Sequence, residues 1–370
     1  MLGVMVLAIP GSAGAATLST NSDFVTINAA RGLSPSVAAR LTRFAGTIGS
    51  SHAVFDRGTI DLVEVRRNER VLQHAPGGMV FPLDTLAVEP ADVVPTIGHA
   101  TSTALEQGLV AMSTSAAKLR HAAVGDRFTL VGWNGKTVQL TLGSVVPDGL
   151  VDQSELIVSK TTAATLGFLR PFSIRISGFR SRGETRQRIA AFRSPTPLRR
   201  TFSWINSSAS FPMSQAQAKL VLGEFAMRRG SAGRLRIDPA WESRHLVNTA
   251  LPIIGVVRCN RVVTAAAGAA LGELIQQGHG DLIDARDSRV NGGCFSARDA
   301  RAPIGTTGRN VSRHAWGGAI DINPSKNRFG SAGHMSKLVI AAFHRHGFAW
   351  GGHFLIPDPT HFEYAVHPGR

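Results

Sequence analysis

The sequence feature that most constrains the fold is a pair of short motifs near the C-terminus that contain histidine and aspartate. The first, SRHAWGGAID, occupies residues 312–321, and the second, PDPTHFEY, occupies residues 357–364. Catalytic zinc takes three protein ligands from His, Asp or Glu and leaves its fourth position open. His314, Asp321 and His361 supply such a set, provided that the fold brings both motifs to one point. The sequence therefore predicts a metal site built from two distant segments.

Local sequence around these residues favours that convergence. The β-branched residues of AIDIN predict a strand at Asp321, and the glycines of the turn at 316–318 allow the backbone to fold tightly before it. Pro359 keeps Asp358 out of helical geometry, so a turn there can direct Asp358 and His361 into one cavity. A carboxylate beside a metal site that does not itself bind the metal is suited to act as a general base. Any one of these residues alone would be explained as a cap or a surface group, and the combination is far more specific.

The order of these residues resembles the D-alanyl-D-alanine carboxypeptidase family of zinc peptidases. That family includes the vancomycin-resistance D,D-peptidases and the L-alanyl-D-glutamate endopeptidases. The matching pattern is Ser312-x-His314-x-x-Gly317-x-Ala319-x-Asp321, followed by Asp358-x-x-His361. GFAWGG at 347–352 and GGCFSAR at 292–298 are similar to two further blocks of the family, so the resemblance spans about residues 250–370. GGHF at 351–354 departs from the more usual Gly-Gly-Asp-Trp.

The resemblance implies a role for each matching residue. His314, Asp321 and His361 would bind Zn²⁺, and Asp358 would be the catalytic base, an aspartate as in the endopeptidase branch. Arg298 would act in catalysis or substrate binding by contacting a carbonyl or carboxylate, for which a planar, permanently charged guanidinium is well suited. Ser312 would form hydrogen bonds with the substrate or with a ligand. The implied fold of this part is Hedgehog/D,D-peptidase-like, an antiparallel sheet with helices.

The whole chain is expected to be of the α+β class. It contains no alternation of strand and helix around a glycine-rich phosphate loop, so a nucleotide-binding fold is excluded. We predict a signal-like apolar segment at 1–18, a β-rich accessory module at 24–205, a helix and linker at 206–247, and the catalytic domain at 248–370. The catalytic domain should contain two helices, one near 265–277 that ends at Gly278 and one near 336–346. In the segment before it, apolar residues recur at helical spacing in MSQAQAKLVLGEFAMRR, which predicts a helix over residues 213–229.

The N-terminal half has a recognisable order of elements without catalytic spacing. A short helix near Ser113–Arg120 precedes a Gly125-Asp126 turn, and two strands follow, joined by Asn134-Gly135, a strong hairpin pattern. This order resembles the extracytoplasmic domain of ABC permeases of the macrolide-export and lipoprotein-release type. The resemblance implies a module for contacts or substrate handling.

The N-terminus and the cysteines indicate an extracytoplasmic protein. The first eighteen residues are apolar and contain an Ala13-Gly14-Ala15 step suited to signal peptidase, although no basic residue occurs before Arg31. Cys259 and Cys294 are the chain's two cysteines; in an exported protein they favour a disulfide, and in the cytosol they would be free thiols. Export makes the disulfide the better prediction.

Charge and composition limit the classes of binding partner that the chain is expected to have. With 43% hydrophobic residues the chain can bury a core, and its net charge of +15 attracts polyanions. No nucleic-acid-binding motif is present, so nucleic acid is not expected as a partner, whereas an anionic wall polymer or a membrane surface is compatible with the charge. The resemblance implies a zinc-dependent peptidase acting on the peptidoglycan stem peptide, most simply at its D-Ala-D-Ala end. The alternatives are an endopeptidase that cleaves between L-Ala and D-Glu and a non-catalytic cell-wall-binding or scaffold protein.

Overall fold

The structure is a computed structural model. It describes residues 23–29, 32–48, 51–152, 154–168, 171–195, 197–204, 211–288, 293–301 and 310–366. The signal-like segment predicted at 1–18 lies outside these residues. No helix within them is both long and apolar enough to cross a membrane. The described part combines helices with largely antiparallel sheets, which agrees with the predicted mixture of α and β structure.

The described N-terminal half is organised around a ten-stranded sheet. Its strands are β1 (Phe24–Ala29), β2 (Ser51–Arg67), β3 (Arg70–His74), β4 (Phe81–Val88), β5 (Val110–Ser113), β6 (Arg127–Val131), β7 (Thr137–Val146), β8 (Leu156–Ser159), β9 (Pro171–Ser177) and β10 (Leu198–Phe202). The long strand β2 pairs with β9, β4, β3 and β6. Because β6 pairs back with β2, the strands β2-β4-β8-β5-β7-β6 close into a ring with a buried apolar interior.

Five helices cover this sheet. They are α1 (Pro35–Thr47), α2 (His99–Glu106), α3 (Thr114–Leu119), α4 (Lys160–Thr165) and α5 (Arg182–Ala191). Helix α3 begins where the sequence predicts it, because the Ser113 side chain accepts a hydrogen bond from the Ala116 amide and so caps the first turn. The predicted hairpin is also present: Val131 pairs with Thr137, and Gly135 adopts a φ of +74° that favours glycine.

The described C-terminal half surrounds a four-stranded antiparallel sheet. The described strands of this half, in the sheet and outside it, are β11 (Phe211–Pro212), β12 (Met227–Arg229), β13 (Leu235–Ile237), β14 (Leu246–Leu251), β15 (Gly255–Asn260), β16 (Ala319–Asp321), β17 (Phe348–Trp350) and β18 (His361–Val366). Strand β18 is central and pairs with β11, β16 and β17, while β12–β13 and β14–β15 form separate hairpins. The helices are α6 (Gln215–Leu222), α7 (Pro239–His245), α8 (Thr264–Gln276), α9 (Ala285–Ser288) and α10 (Lys337–Arg345). Helices α8 and α10 lie where the sequence predicts them. The helix predicted over 213–229 is shorter than expected: it ends at Leu222, because Gly223 adopts a φ of +88°, and Met227–Arg229 form a strand instead.

A single hydrophobic core underlies the C-terminal sheet. Phe225 lies between Trp241 and Trp316, with ring centroids 4.9 and 4.7 Å away, and all three side chains are buried. Residues from Met213 onward contribute to this core, so α6 and the following hairpin pack with the segment predicted to be catalytic. The predicted disulfide between Cys259 and Cys294 is present and lies in the same core.

Buried charges join the two halves. Lys219 on α6 places its Nζ 2.9 Å from Glu155 Oε1, at the start of β8, and 3.1 Å from Glu224 Oε1. Arg120, just after α3, donates to Glu224 Oε1 at 2.7 Å, and Gln215 donates to Glu155 Oε2 at 2.7 Å. Since burying a charge is costly unless it is paired and hydrogen-bonded, this network fixes how the halves meet.

Candidate metal centre

The first motif folds into a tight turn followed by a strand. Ser312 Oγ accepts a hydrogen bond from the His314 amide at 3.3 Å and starts a 3₁₀ turn over Arg313–Trp316. Gly317 ends the turn with a φ of +64°, and a Cβ there would lie 2.7 Å from the Asn260 amide nitrogen. Only glycine fits this position without strain, because both the left-handed backbone and the close neighbour exclude a side chain. The chain then enters β16, which ends at Asp321.

The pairing of β16 with β18 brings the two motifs together. Asp321 lies directly opposite His361 in the antiparallel register. The turn before β16 places His314 on the same side, so its Nε2 lies 3.2 Å from Asp321 Oδ1, and His361 Nδ1 lies 3.3 Å from the same oxygen. All three side chains are buried, and their potential ligand atoms lie within 4.8 Å of one another. Among the described residues, this is the group of His, Cys, Asp or Glu that could hold a metal ion.

The outer nitrogen of each histidine has an acceptor. His314 Nδ1 lies 3.1 Å from the Cys294 carbonyl oxygen, and His361 Nε2 lies 3.1 Å from Glu363 Oε2. A carbonyl or carboxylate oxygen accepts a hydrogen bond from an N–H, so each outer nitrogen donates and the inner nitrogen of a neutral ring carries a lone pair. Two lone pairs and a carboxylate then face one another, which is unfavourable unless protons or a cation lie between them.

Two distances within the cluster agree with the edge of a tetrahedral metal site. Ligands at about 2.0–2.1 Å from a tetrahedral centre are about 3.3 Å apart. The distances from Asp321 Oδ1 are 3.2 and 3.3 Å, and all three potential ligand atoms lie within 4.8 Å of one another. The group could therefore hold a metal ion, with each histidine oriented by the hydrogen bond of its second nitrogen.

In the absence of a cation, the contacts within this cluster shift the pKa values of Asp321 and His361 in opposite directions. Burial would raise the pKa of Asp321, but the charge and hydrogen bonds of the two histidines hold it well below its usual range. Burial lowers the pKa of His361, but hydrogen bonds to Asp321 and Glu363 outweigh that effect and raise it to about 10. A cation at this point must therefore displace a proton, so its affinity should fall as the pH falls.

Asp358 stands beside this cluster on the turn that leads into β18. The His361 amide donates to the Asp358 carbonyl at 3.0 Å, which closes the predicted turn through Pro359 and Thr360. The Asp358 amide in turn donates to Gly351 at 2.9 Å, and a Cβ on Gly351 would lie 2.5 Å from the Asp358 carbonyl oxygen. Burial raises the pKa of the Asp358 carboxyl group. Its Oδ1 is buried and has no hydrogen-bond partner among the described residues, and the residue lines the same cleft as His361.

Arg298 and Ser312 lie on neighbouring backbone segments at the edge of the site. The Ser312 amide donates to the Arg298 carbonyl at 3.1 Å, and both residues line a cleft of about 400 Å³ together with Asp358 and His361. Burial and the charge of Arg301 lower the pKa of Arg298. The Ser312 hydroxyl already caps the turn at His314, so it positions a ligand-bearing segment as well as facing the cleft.

The N-terminal half contributes Arg57, Asp84 and Phe172 to the lining of this cleft. The sequence analysis assigned no site residue to that half. No motif spacing links these residues to the C-terminal motifs, and the only available pattern was the alternation of side chains along β2. Glu363 and Arg313, whose carboxylate and guanidinium lie 3.6 Å apart, complete the surroundings of His361.

Comparison with known proteins confirms the predicted family resemblance of the C-terminal motifs. A family model described as D-alanyl-D-alanine carboxypeptidase matches residues 305–364. The match contains Ser312, His314, Asp321, Asp358 and His361 but not Arg298. This part of the chain is thus peptidase-like, with a His-Asp-His group that could hold a metal.

Two further comparisons concern the whole chain. No curated protein matches it. Among solved structures, it is similar to the extracellular domain of the noncanonical ABC-type transporter YknZ from Gram-positive bacteria. The identity is 11% and the TM-score is 0.28, and the similarity covers 45% of this chain and 88% of the other.

Proposed function

We propose that the chain is a zinc-dependent peptidoglycan peptidase that hydrolyses the stem peptide, acting as a D-alanyl-D-alanine carboxypeptidase. The observation that carries the proposal is the convergence of His314 Nε2 and His361 Nδ1 on one oxygen of Asp321 at 3.2 and 3.3 Å. The outer nitrogens of both histidines have acceptors, which leaves the inner nitrogens free to bind a cation. The buried, unpartnered carboxylate oxygen of Asp358 adds a base beside that point.

We further propose that residues 248–370 form a Hedgehog/D,D-peptidase-like domain, preceded by an accessory module at 24–205 and a helix and linker at 206–247. The proposed site of action is extracytoplasmic, where the stem peptide is found. The disulfide supports this location, because disulfides persist in oxidising compartments.

The roles of the residues follow from their chemistry. When bound, zinc would supply Lewis acidity, which polarises a carbonyl group and lowers the pKa of water. Asp358 accepts the proton of the attacking water and later passes it to the leaving amine. Its raised pKa suits both steps, since a stronger base takes the proton more readily and can hold it until the amine leaves. Arg298 offers a permanent positive charge to the developing oxyanion or to a terminal carboxylate.

The proposal is tested with purified protein and a defined stem pentapeptide in the presence of zinc. The expected product, identified by mass spectrometry, is free D-alanine. A shortened peptide with a new N-terminal D-glutamyl residue would instead assign the endopeptidase alternative. The same assay on His99→Ala, which alters an exposed histidine on α2, should match the unaltered protein. If the stem peptide is cleaved at neither bond, the chain is not a stem-peptide hydrolase and the non-catalytic alternative stands.

A further inference from the structure

Alternate side chains in the middle of strand β2 point towards the C-terminal half. Thr59 Oγ1 donates to Asn310 Oδ1 at 2.7 Å, two residues before Ser312. Asp61 Oδ1 lies 3.7 Å from Arg229 Nη2, and the same guanidinium contacts Asp299, beside Arg298. Because side chains alternate between the two faces of a strand, Arg57 shares this face. Thr59 and Asp61 therefore attach β2 to C-terminal segments that lie next to the candidate site. Arg57, on the same face of the strand, lines the cleft.

The residue between Arg57 and Thr59 shows that this orientation is fixed. Gly58 faces the opposite side, where a Cβ would lie only 2.9 Å from Phe168 Cδ2. Phe168 is buried in the core of the N-terminal ring, so a one-residue shift of β2 would drive Arg57 into that core. The strand register thus holds the guanidinium at the cleft.

The Arg57 side chain is held in place and still accessible. Its Nε donates to Asp84 Oδ1 at 3.0 Å, its Nη2 donates to Asp84 Oδ2, and its guanidinium carbon lies 5.1 Å from the ring centroid of Phe172. This two-point contact leaves Nη1 without a hydrogen-bond partner among the described residues. The side chain is 24% exposed, and the exposed part lines the cleft. A guanidinium that is oriented in advance loses little freedom when a ligand binds.

The charges around the cleft favour an anionic ligand. Its described lining contains four arginines and three carboxylates, namely Arg57, Arg298, Arg301, Arg313, Asp84, Asp358 and Glu363. Asp84 pairs with Arg57 and Glu363 pairs with Arg313, so these charges largely offset one another, and Arg298 and Arg301 outnumber the one remaining carboxylate, Asp358. Arg298 comes from the C-terminal half, as do the candidate metal ligands, whereas Arg57 comes from the N-terminal half. A cleft lined by guanidinium groups from both halves suits a peptide that carries more than one carboxylate.

We infer that Arg57 is a specificity-determining residue that binds a second carboxylate of the substrate, away from the scissile bond. The inference rests on the proposed function. A stem peptide with lysine as its third residue has one free carboxylate besides its C-terminus, on the glutamyl residue, and this is the group that we assign to Arg57. The N-terminal half is then part of the substrate site, and its strand β2 selects the peptide that the C-terminal half cleaves.

The test uses the full chain and two pentapeptides, N-acetyl-L-Ala-D-isoGlu-L-Lys-D-Ala-D-Ala and the same peptide with D-isoglutamine in place of D-isoglutamate. The unaltered protein should cleave the carboxylate form with a kcat/KM about tenfold higher than that of the amide form, the size expected for one charged hydrogen bond that is partly exposed. Arg57→Leu should lower kcat/KM for the carboxylate form and remove the preference, while Arg57→Lys should retain part of it.

Two further variants make the result specific. Arg57→Leu combined with Asp84→Asn avoids leaving a lone buried carboxylate and should also lack the preference. Arg66→Leu removes an arginine of the same strand that pairs with Glu64 away from the cleft, and should keep the preference of the unaltered protein. Equal cleavage of both peptides by the unaltered protein, or an unchanged preference in folded Arg57 variants, would overturn the assignment of Arg57 alone. Cleavage of neither peptide by the unaltered protein would overturn the proposed function, and this inference with it.

Discussion

Buried charge is paired at the junction between the two halves but not throughout the cleft. Where the halves meet, Lys219, Arg120, Glu155 and Glu224 are buried, and each contacts at least one partner of opposite charge. In the cleft, Asp358 is half-buried and its Oδ1 has no partner among the described residues, as is also true of Asp56 Oδ1 and Asp152 Oδ2 in the N-terminal half. A matched network stabilises a single arrangement, whereas an unmatched carboxylate carries a desolvation cost that no partner offsets. Asp358 differs from the other two because it lines the same cleft as His361, where a titratable side chain can take part in chemistry.

The largest effect should come from removing a ligand of the candidate metal centre. His314→Ala should abolish metal binding and reduce peptidase activity by about a thousandfold or more, because several kcal/mol of transition-state stabilisation depend on the cation. Metal content measured by elemental mass spectrometry after dialysis checks the first outcome, and D-alanine release checks the second. His99→Ala serves as the control. Full metal content in His314→Ala would show that the cation, if present, binds elsewhere.

Asp358→Asn should reduce catalysis without reducing metal binding. The variant should retain metal and fold normally, while turnover falls by about 10²–10⁴-fold, the usual contribution of a general base. The paired measurement is metal content against kcat. Undiminished turnover would remove Asp358 from the mechanism, and loss of metal together with turnover would reassign it as a ligand.

Removing a charge from the buried network between the two halves should lower the stability of the protein. Lys219→Met leaves Glu155 and Glu224 buried with less compensating charge, and should lower the free energy of unfolding by about 3–5 kcal/mol. Urea denaturation followed by circular dichroism measures the change, with Lys118→Met on the exposed face of α3 as the matched control. A loss no larger than that of the control would mean that the network is not what holds the halves together.

The smallest expected effect concerns Glu273, which joins α8 to the end of α10. The hydrogen bond from Arg345 lowers the pKa of Glu273 to about 2, burial opposes it, and His346 adds to the lowering. Since the folded pKa lies below the ordinary 4.5, the stabilisation is fully present above pH 4.5 and is lost as the pH falls towards 2. The contribution should be below about 1 kcal/mol because the pair lies near the surface. Thermal unfolding of Glu273→Gln should therefore depend less on pH across that window, and an unchanged profile would contradict the assignment.

Residues that act through short-range geometry could be anticipated from the sequence. The glycines at 317 and 318, the β-branched run ending at Asp321 and the proline at 359 each restrict the local backbone. Together they predict the turn, the strand and the approach to His361 that the structure contains. The Asn134-Gly135 hairpin follows for the same reason, because few local arrangements are compatible with those residues. The disulfide could be predicted on different grounds, from a single pair of cysteines together with the signs of export.

Residues that act through long-range pairing could not be anticipated. The closure of the ring by β6 against β2 depends on strand register, which hydrophobic pattern alone does not specify for a seventeen-residue strand paired with four neighbours. Arg57 reaches the cleft only because that register and the contacts of Thr59 and Asp61 place it there. The contribution of Met213 and the residues after it to the C-terminal core likewise depends on tertiary packing.

The disulfide has a consequence beyond the loop it closes. Cys294 supplies the carbonyl oxygen that orients His314 Nδ1, and its sulfur is bonded to β15 through Cys259. The oxidation state of the two cysteines is thereby coupled to the orientation of the His314 imidazole ring. Reduction of the disulfide would leave that ring less constrained, so a cation added to the reduced chain should bind the His314 group more weakly than one added to the oxidised chain.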